Sequence, residues 1–159
     1  MPRTPAASRL LGLAGLLLLT LSSCKQQVTW ETYHNDRYGY TFPYPSTWRA
    51  AVPPSNGDGQ AFISPRVSEV QIRGWAAQVA TSVEALPPSN FVTDQGVRGY
   101  LKQESEPQTQ TIYLSLAIQQ QGIRYNLLAQ APQSEFNTYQ PYFYYVARGY
   151  RLDQKPSGS

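Results

Sequence analysis

Apolar and polar residues alternate with a period of two through most of the middle of the chain. In residues 111–119, Ile112, Leu114, Leu116 and Ile118 fall on one face, while Thr111, Tyr113, Ser115 and Gln119 fall on the other. That is the signature of a strand with one side on a core. After Gln120-Gln121-Gly122, the alternation resumes at Ile123, Tyr125, Leu127 and Ala129. Two such runs joined by so short a Gly-bearing segment predict an antiparallel hairpin. A weaker strand over residues 97–104 precedes it, with Glu106-Pro107 in the turn. Residues 69–74 predict a further strand, with Val70 and Ile72 opposed to Glu69, Gln71 and Arg73. A strand over residues 28–33 opens the series.

The period changes near the end of the chain. Phe136, Tyr139, Phe143, Val146 and Tyr150 are separated by steps of three and four, which place them on one helix face. Ser134 is the expected N-cap, followed by Glu135 in the first turn. Pro141 interrupts this pattern, so a short first turn and then a main helix from about Pro141 are expected. A shorter helix carrying Val79, Val83 and Leu86 is expected to end before Pro87-Pro88. A mainly antiparallel sheet covered by helices defines an α+β fold.

The start of the chain follows neither period. Arg3 and Arg9 precede an apolar stretch over residues 10–21, too short to span the ~30 Å of a bilayer's hydrocarbon as a helix. Leu21-Ser22-Ser23-Cys24 follows and resembles a bacterial lipobox, in which the Cys is lipidated and becomes the first residue of the mature protein. Residues 1–23 are therefore expected to be a lipoprotein signal peptide, 24–28 the lipidated Cys24 with a short tether, 29–152 a single domain and 153–159 a flexible tail. Removing residues 1–23 shortens the chain from 159 to 136 residues. It also takes Arg3 and Arg9 away, so 13 basic against 10 acidic side chains become 11 against 10, and the formal charge falls from +3 to +1. A domain so close to neutral lacks the clustered Lys and Arg of a nucleic-acid binder.

Within the domain, Tyr33-His34-Asn35-Asp36-Arg37-Tyr38-Gly39-Tyr40 leads into Thr41-Phe42-Pro43-Tyr44-Pro45 and then Trp48. A turn, an aromatic strand, Tyr-Pro and then Trp resemble the start of PsbP-like domains, the family of the extrinsic photosystem II subunit. A Ran-binding nuclear import factor and many bacterial lipoproteins share that fold. Ser55-Asn56-Gly57-Asp58-Gly59 before Phe62 is similar to segments of those lipoproteins. So is the closing helix of Phe136, Tyr139 and Phe143 that leads into Tyr150-Arg151. The resemblance implies an α/β/α sandwich around an antiparallel sheet, used for binding or assembly rather than catalysis. The family's metal sites have no residue-by-residue match in this sequence. In physical terms Gly39 supplies a turn, Pro45 stops a strand, and Trp48 folds back over the core.

Candidate chemistry narrows the field further. One Cys, assigned to lipid, excludes an intrachain disulfide and multi-Cys zinc sites. Asn56-Gly57-Asp58-Gly59 has the look of a calcium loop. With Gly59 as the invariant Gly, however, Pro54 and Pro65 fall where the first and last ligands belong, so the segment reads as a turn. No Gly-x-Ser-x-Gly elbow and no phosphate-binding loop occur. The lone His34 sits in a polar turn and reads as solvated. No catalytic residue, cofactor or metal is therefore expected, although a carboxylate-pair hydrolase stays open because paired acids can be far apart in sequence.

Tyr142, Tyr144 and Tyr145 stand beside the helix's inward stripe and cannot all share it. They form the candidate contact surface, since a large ring with a polar tip suits protein interfaces and sugar stacking. The sequence thus predicts a lipoprotein of the bacterial cell envelope, anchored by lipid and facing outward. If the cell has two membranes, Lys25 after the Cys points to the periplasmic face of the outer one. Its domain is expected to bind a protein partner. A carbohydrate or small-ligand binder is the alternative.

Overall fold

The protein is described here by a computed structural model covering residues 27–80 and 85–153. A three-stranded sheet pairs β1 (Trp30–Asn35) and β10 (Arg151–Leu152) on either side of β2 (Tyr40–Pro45). A seven-stranded sheet contains β3 (Arg49–Ala50), β4 (Gly59–Ile63), β5 (Gln71–Gln78), β6 (Phe91–Val92), β7 (Arg98–Glu106), β8 (Thr111–Gln120) and β9 (Ile123–Pro132). Their spatial order is β3-β4-β5-β9-β8-β7-β6, and every pairing is antiparallel. One helix, α1 (Gln133–Arg148), completes the described elements. The fold is α+β, as the periodicities predict.

The hairpin of β8 and β9 is the longest pairing, running from Thr111↔Pro132 to Gln120↔Ile123. Gln121 and Gly122 form its two-residue turn with φ of 52° and 74°. Two positive φ values match the right-handed twist of the flanking strands, which is why two residues suffice. Leu114, Leu116 and Ile118 of β8 and Leu127, Ala129 and Ala131 of β9 are buried beneath α1. Glu106 remains within β7, paired with Thr111, so the turn occupies residues 107–110. At the sheet's far side β6 covers only the beginning of β7. Beyond it the Asn90 side chain closes the edge: its Oδ1 accepts from Leu101 N–H at 2.7 Å and its Nδ2 donates to Leu101 C=O at 2.9 Å.

Two features of α1 differ from expectation. The helix begins at Gln133 directly after β9, with Pro132 at the N-cap and no side-chain cap from Ser134. Gln133 N–H instead donates to the Gln110 carbonyl at 2.8 Å, so tertiary structure satisfies a group that a cap would otherwise serve. The helix also runs unbroken through Pro141. Phe136 and Tyr139 on one side of the proline, and Phe143, Val146 and Ala147 on the other, are buried as one face. Burying several large side chains outweighs the ~3 kcal/mol cost of an internal proline. Of the second expected helix, Val83 lies outside the described residues. Val79 donates its N–H to Gly122 C=O at 2.9 Å, extending the β5 pairing, and Leu86 belongs to no helix. The one described helix lies on the same side of the large sheet as Ile72 and Leu116. Arg73, Trp75, Tyr113 and Leu128 occupy the opposite side.

The two sheets meet through aromatic rings. Tyr40 and Phe42 of β2 lie nearly parallel to Tyr150, with centroids 5.5 and 6.2 Å from it. Tyr44 stacks on Phe62 at 3.7 Å. Phe42 lies directly over Gly74 in β5: a Cβ there would sit 2.8 Å from Phe42 Cδ1 and closer still to Cε1. The bare glycine is the seat of the ring. Trp48 folds back over the core as expected, with 7% of its surface exposed. Gly74→Ala is expected to lower stability by about 1–3 kcal/mol through overpacking, measured by urea denaturation. Unchanged stability would show that the sheets separate freely at this point.

Candidate binding surface

Tyr142 and Tyr145 are one turn apart on α1, on the flank of its buried stripe. β1 brings Trp30 against both. The Trp30 ring lies 4.2 Å from that of Tyr145 and 5.8 Å from that of Tyr142. Tyr142 is 5.8 Å from Tyr139, which meets Trp48 edge-on at 6.0 Å. Five rings therefore form an arc from the half-exposed Tyr145 to the buried Trp48. Aromatic pairs at such distances and tilts contribute beyond the area they bury.

A groove of about 610 Å³ opens along this arc. Residues 27–29 form one wall, Thr138, Tyr139 and Tyr142 another, and Pro45, Trp48, Pro65 and Arg66 the floor and rim. Inside it the hydroxyls of Ser64 and Tyr139 share a buried hydrogen bond of 3.1 Å. Ser64 Oγ also accepts from Arg66 N–H at 3.3 Å, which orders the β4–β5 loop at the rim. No carboxylate lines the groove. Its chemistry is that of rings, prolines, hydroxyls and one guanidinium.

The structure brings together two of the three expected tyrosines. Tyr144 is half-buried and packs on the core, apart from the Trp30 cluster. Cys24 lies outside the described residues. Trp30 is the member of the surface that sequence reasoning missed, because an aromatic residue at the start of a strand is indistinguishable from any other strand aromatic. Among the described residues, no helix is long and apolar enough to cross a membrane.

A second polar feature lies by β1. His34 Nε2 is 3.0 Å from Asp153 Oδ2, and its Nδ1 is 2.9 Å from Asp36 Oδ1. Asp153 N–H also donates to Gly39 C=O at 2.9 Å, so the first residue of the expected tail is held to the β1–β2 turn. Asp153, Gln95, Arg98 and Gln119 line an adjacent hollow of about 680 Å³. Gln120, Gln121 and Tyr125 also line that hollow. In the Asn56–Gly59 segment, Asn56 Nδ2 donates to Asp58 Oδ2 at 2.7 Å, which closes the loop on itself as a turn. Tyr44, which donates to Glu31 Oε2 at 2.6 Å, is pushed up to about 12 by that hydrogen bond and by burial.

Taken with the order of its strands, this architecture is a PsbP-like α+β fold. It is similar to the solution structure of cyanobacterial PsbP (CyanoP) from Synechocystis sp. PCC 6803. The TM-score is 0.50 at 14% identity, covering 84% of this chain and 99% of that one. It is also similar to a crystal structure from Bacteroides thetaiotaomicron VPI-5482, with a TM-score of 0.52 at 11% identity over 79% of this chain. There the match covers 49% of the other chain, so this protein corresponds to about half of it. No family model and no curated protein matches the sequence. Likeness at these identities establishes the fold alone.

The His34 arrangement makes a pH prediction. The hydrogen bond that His34 donates to Asp153 raises it above its ordinary 6.5; desolvation, next in size, opposes this, and the charges of Asp153 and Asp36 add to the rise. A raised value means that the ion pair stabilises the fold fully below about pH 6.5, and that this contribution is lost as the pH climbs through the folded-state value. Because the chain has a single His, NMR titration of its ring protons reads this directly. Asp153→Asn is expected to bring the midpoint down towards 6.5; an unmoved midpoint would show that Asp153 does not hold the ring.

Proposed function

We propose that this protein is a lipid-anchored lipoprotein of the bacterial cell envelope whose PsbP-like domain binds a protein partner and performs no catalysis. The observation that carries this reading is the aromatic groove beside Gln27, three residues after Cys24. Rings, prolines and an Arg at its rim are the residue types enriched where proteins meet. The anchor in this reading is a diacylglyceryl group on the Cys24 thiol with a further acyl chain at the mature N-terminus. Two or more chains hold a protein durably, at ~0.8 kcal/mol per buried methylene. The tether between Cys24 and the groove is short, at ~3.5 Å per extended residue. Any partner in the groove is therefore met close to the membrane. The protein faces outward, on the periplasmic side of the outer membrane if the cell has two.

The half-exposed Tyr145 ring against Trp30 favours a second reading, in which the same surface stacks on envelope carbohydrate. The two readings separate experimentally. A photo-crosslinking residue at Thr138 is expected to give one discrete protein adduct in intact cells, lost in Tyr142→Ala. Retention on peptidoglycan that disappears in the Tyr142→Ala, Tyr145→Ala double variant, with no adduct from Thr138, would favour carbohydrate instead. Growth with radiolabelled fatty acid is expected to label the wild type and not Cys24→Ala. Equal labelling of both would remove the anchor from the reading.

A further inference from the structure

Trp30 and Tyr145 do not face into the groove. They form the outer end of the ring arc, where Tyr145 is 50% exposed and lies 4.2 Å from Trp30. Both side chains combine a broad apolar ring with a single polar tip, the combination that collects at the headgroup level of bilayers. Trp30 is six residues from Cys24, a span of at most about 20 Å even when fully extended. A short tether also raises the effective concentration of the patch at the surface to about the millimolar range, so that rings of modest individual affinity suffice. The nearest carboxylate on β1, Glu31, projects from the other face of the strand, where Tyr44 O–H donates to it. The outer end of the arc is thus free of that negative charge.

We infer that Trp30 and Tyr145, backed by Tyr142, form an interfacial foot that seats on the lipid headgroups and fixes the orientation of the domain on its membrane. This inference rests on the lipid-anchor reading above. Its occupant is the bilayer surface itself. With the foot seated, the groove on the inner side of Tyr142 opens next to the membrane, which restricts its partner to molecules at or in the same bilayer.

The chain holds three tryptophans, which makes the test internal. Trp75 is on the opposite face of the large sheet, and Trp48 is buried. The full chain, expressed from its own start and purified from membranes, is reconstituted into phosphatidylethanolamine–phosphatidylglycerol vesicles. Half of the preparations carry acyl chains brominated near the headgroup. Bromolipid is expected to quench the wild type and Trp75→Phe, and to lose most of its effect on Trp30→Phe. Tyr145→Glu, a change at a half-exposed position that leaves the core intact and sets a carboxylate against anionic headgroups, is expected to lose most of the quenching as well. Quenching absent from the wild type, as a patch covered by protein would give, overturns the inference. So does quenching unchanged in both Trp30→Phe and Tyr145→Glu. The mass of the N-terminal peptide decides the anchor separately. If Cys24 carries no acyl group, its thiol is coupled to a maleimide lipid in the same vesicles and the quenching is repeated. A free thiol then counts against the anchor, while the quenching alone decides the foot.

Discussion

The contact between Phe42 and Gly74 is the joint on which the architecture turns. The small sheet approaches the large one only because β5 presents bare backbone where the ring arrives. From that point the remaining aromatics follow in order. Tyr40 and Tyr150 extend the near-parallel set, while Phe62 meets Phe42 edge-on and carries Tyr44 stacked on it. Tyr150 stands just after α1, so the same ring set also fixes where the helix ends. A protein of this size has a modest core, and stacked rings fill much of the space between its two sheets.

The surface that we assign to binding depends on that joint at one remove. β1 pairs only with β2, so Trp30 reaches α1 because the small sheet is seated correctly. Trp30 and Tyr145 are over a hundred residues apart in sequence and 4.2 Å apart in space. A surface assembled in this way keeps its geometry with the fold and needs no loop to order. It differs in kind from the polar hollow beside Asp153, which is larger but lined by four glutamines rather than by stacked rings.

What the sequence made legible was whatever repeats locally. The β8–β9 hairpin could be read because its apolar face recurs every second residue up to a short turn, although nothing local announced the positive φ of Gln121. The stripe of α1 was readable for the same reason. Its proline was misjudged, because a local rule about a missing hydrogen bond was weighed without the burial of Phe143 and Val146 that overrides it. The capping residue failed similarly, since Gln110 supplies from a distant turn what Ser134 was expected to supply nearby. The division into two sheets left no local trace. Of the site, Tyr142 and Tyr145 stood out because they fall off the stripe, but so did Tyr144, which packs elsewhere. Trp30 could be recognised only once the strand carrying it was placed.

The Asn90 side chain at the edge of the large sheet also bears on self-association. An open strand edge is a template on which a neighbouring copy can continue the ladder. On β7 the first position beyond β6 is already occupied, because the Asn90 amide takes both backbone groups of Leu101. After it come the exposed charges of Lys102, Glu104 and Glu106, which are costly to bury against a second strand. This stretch of β7 is therefore a poor template for the edge of a second copy.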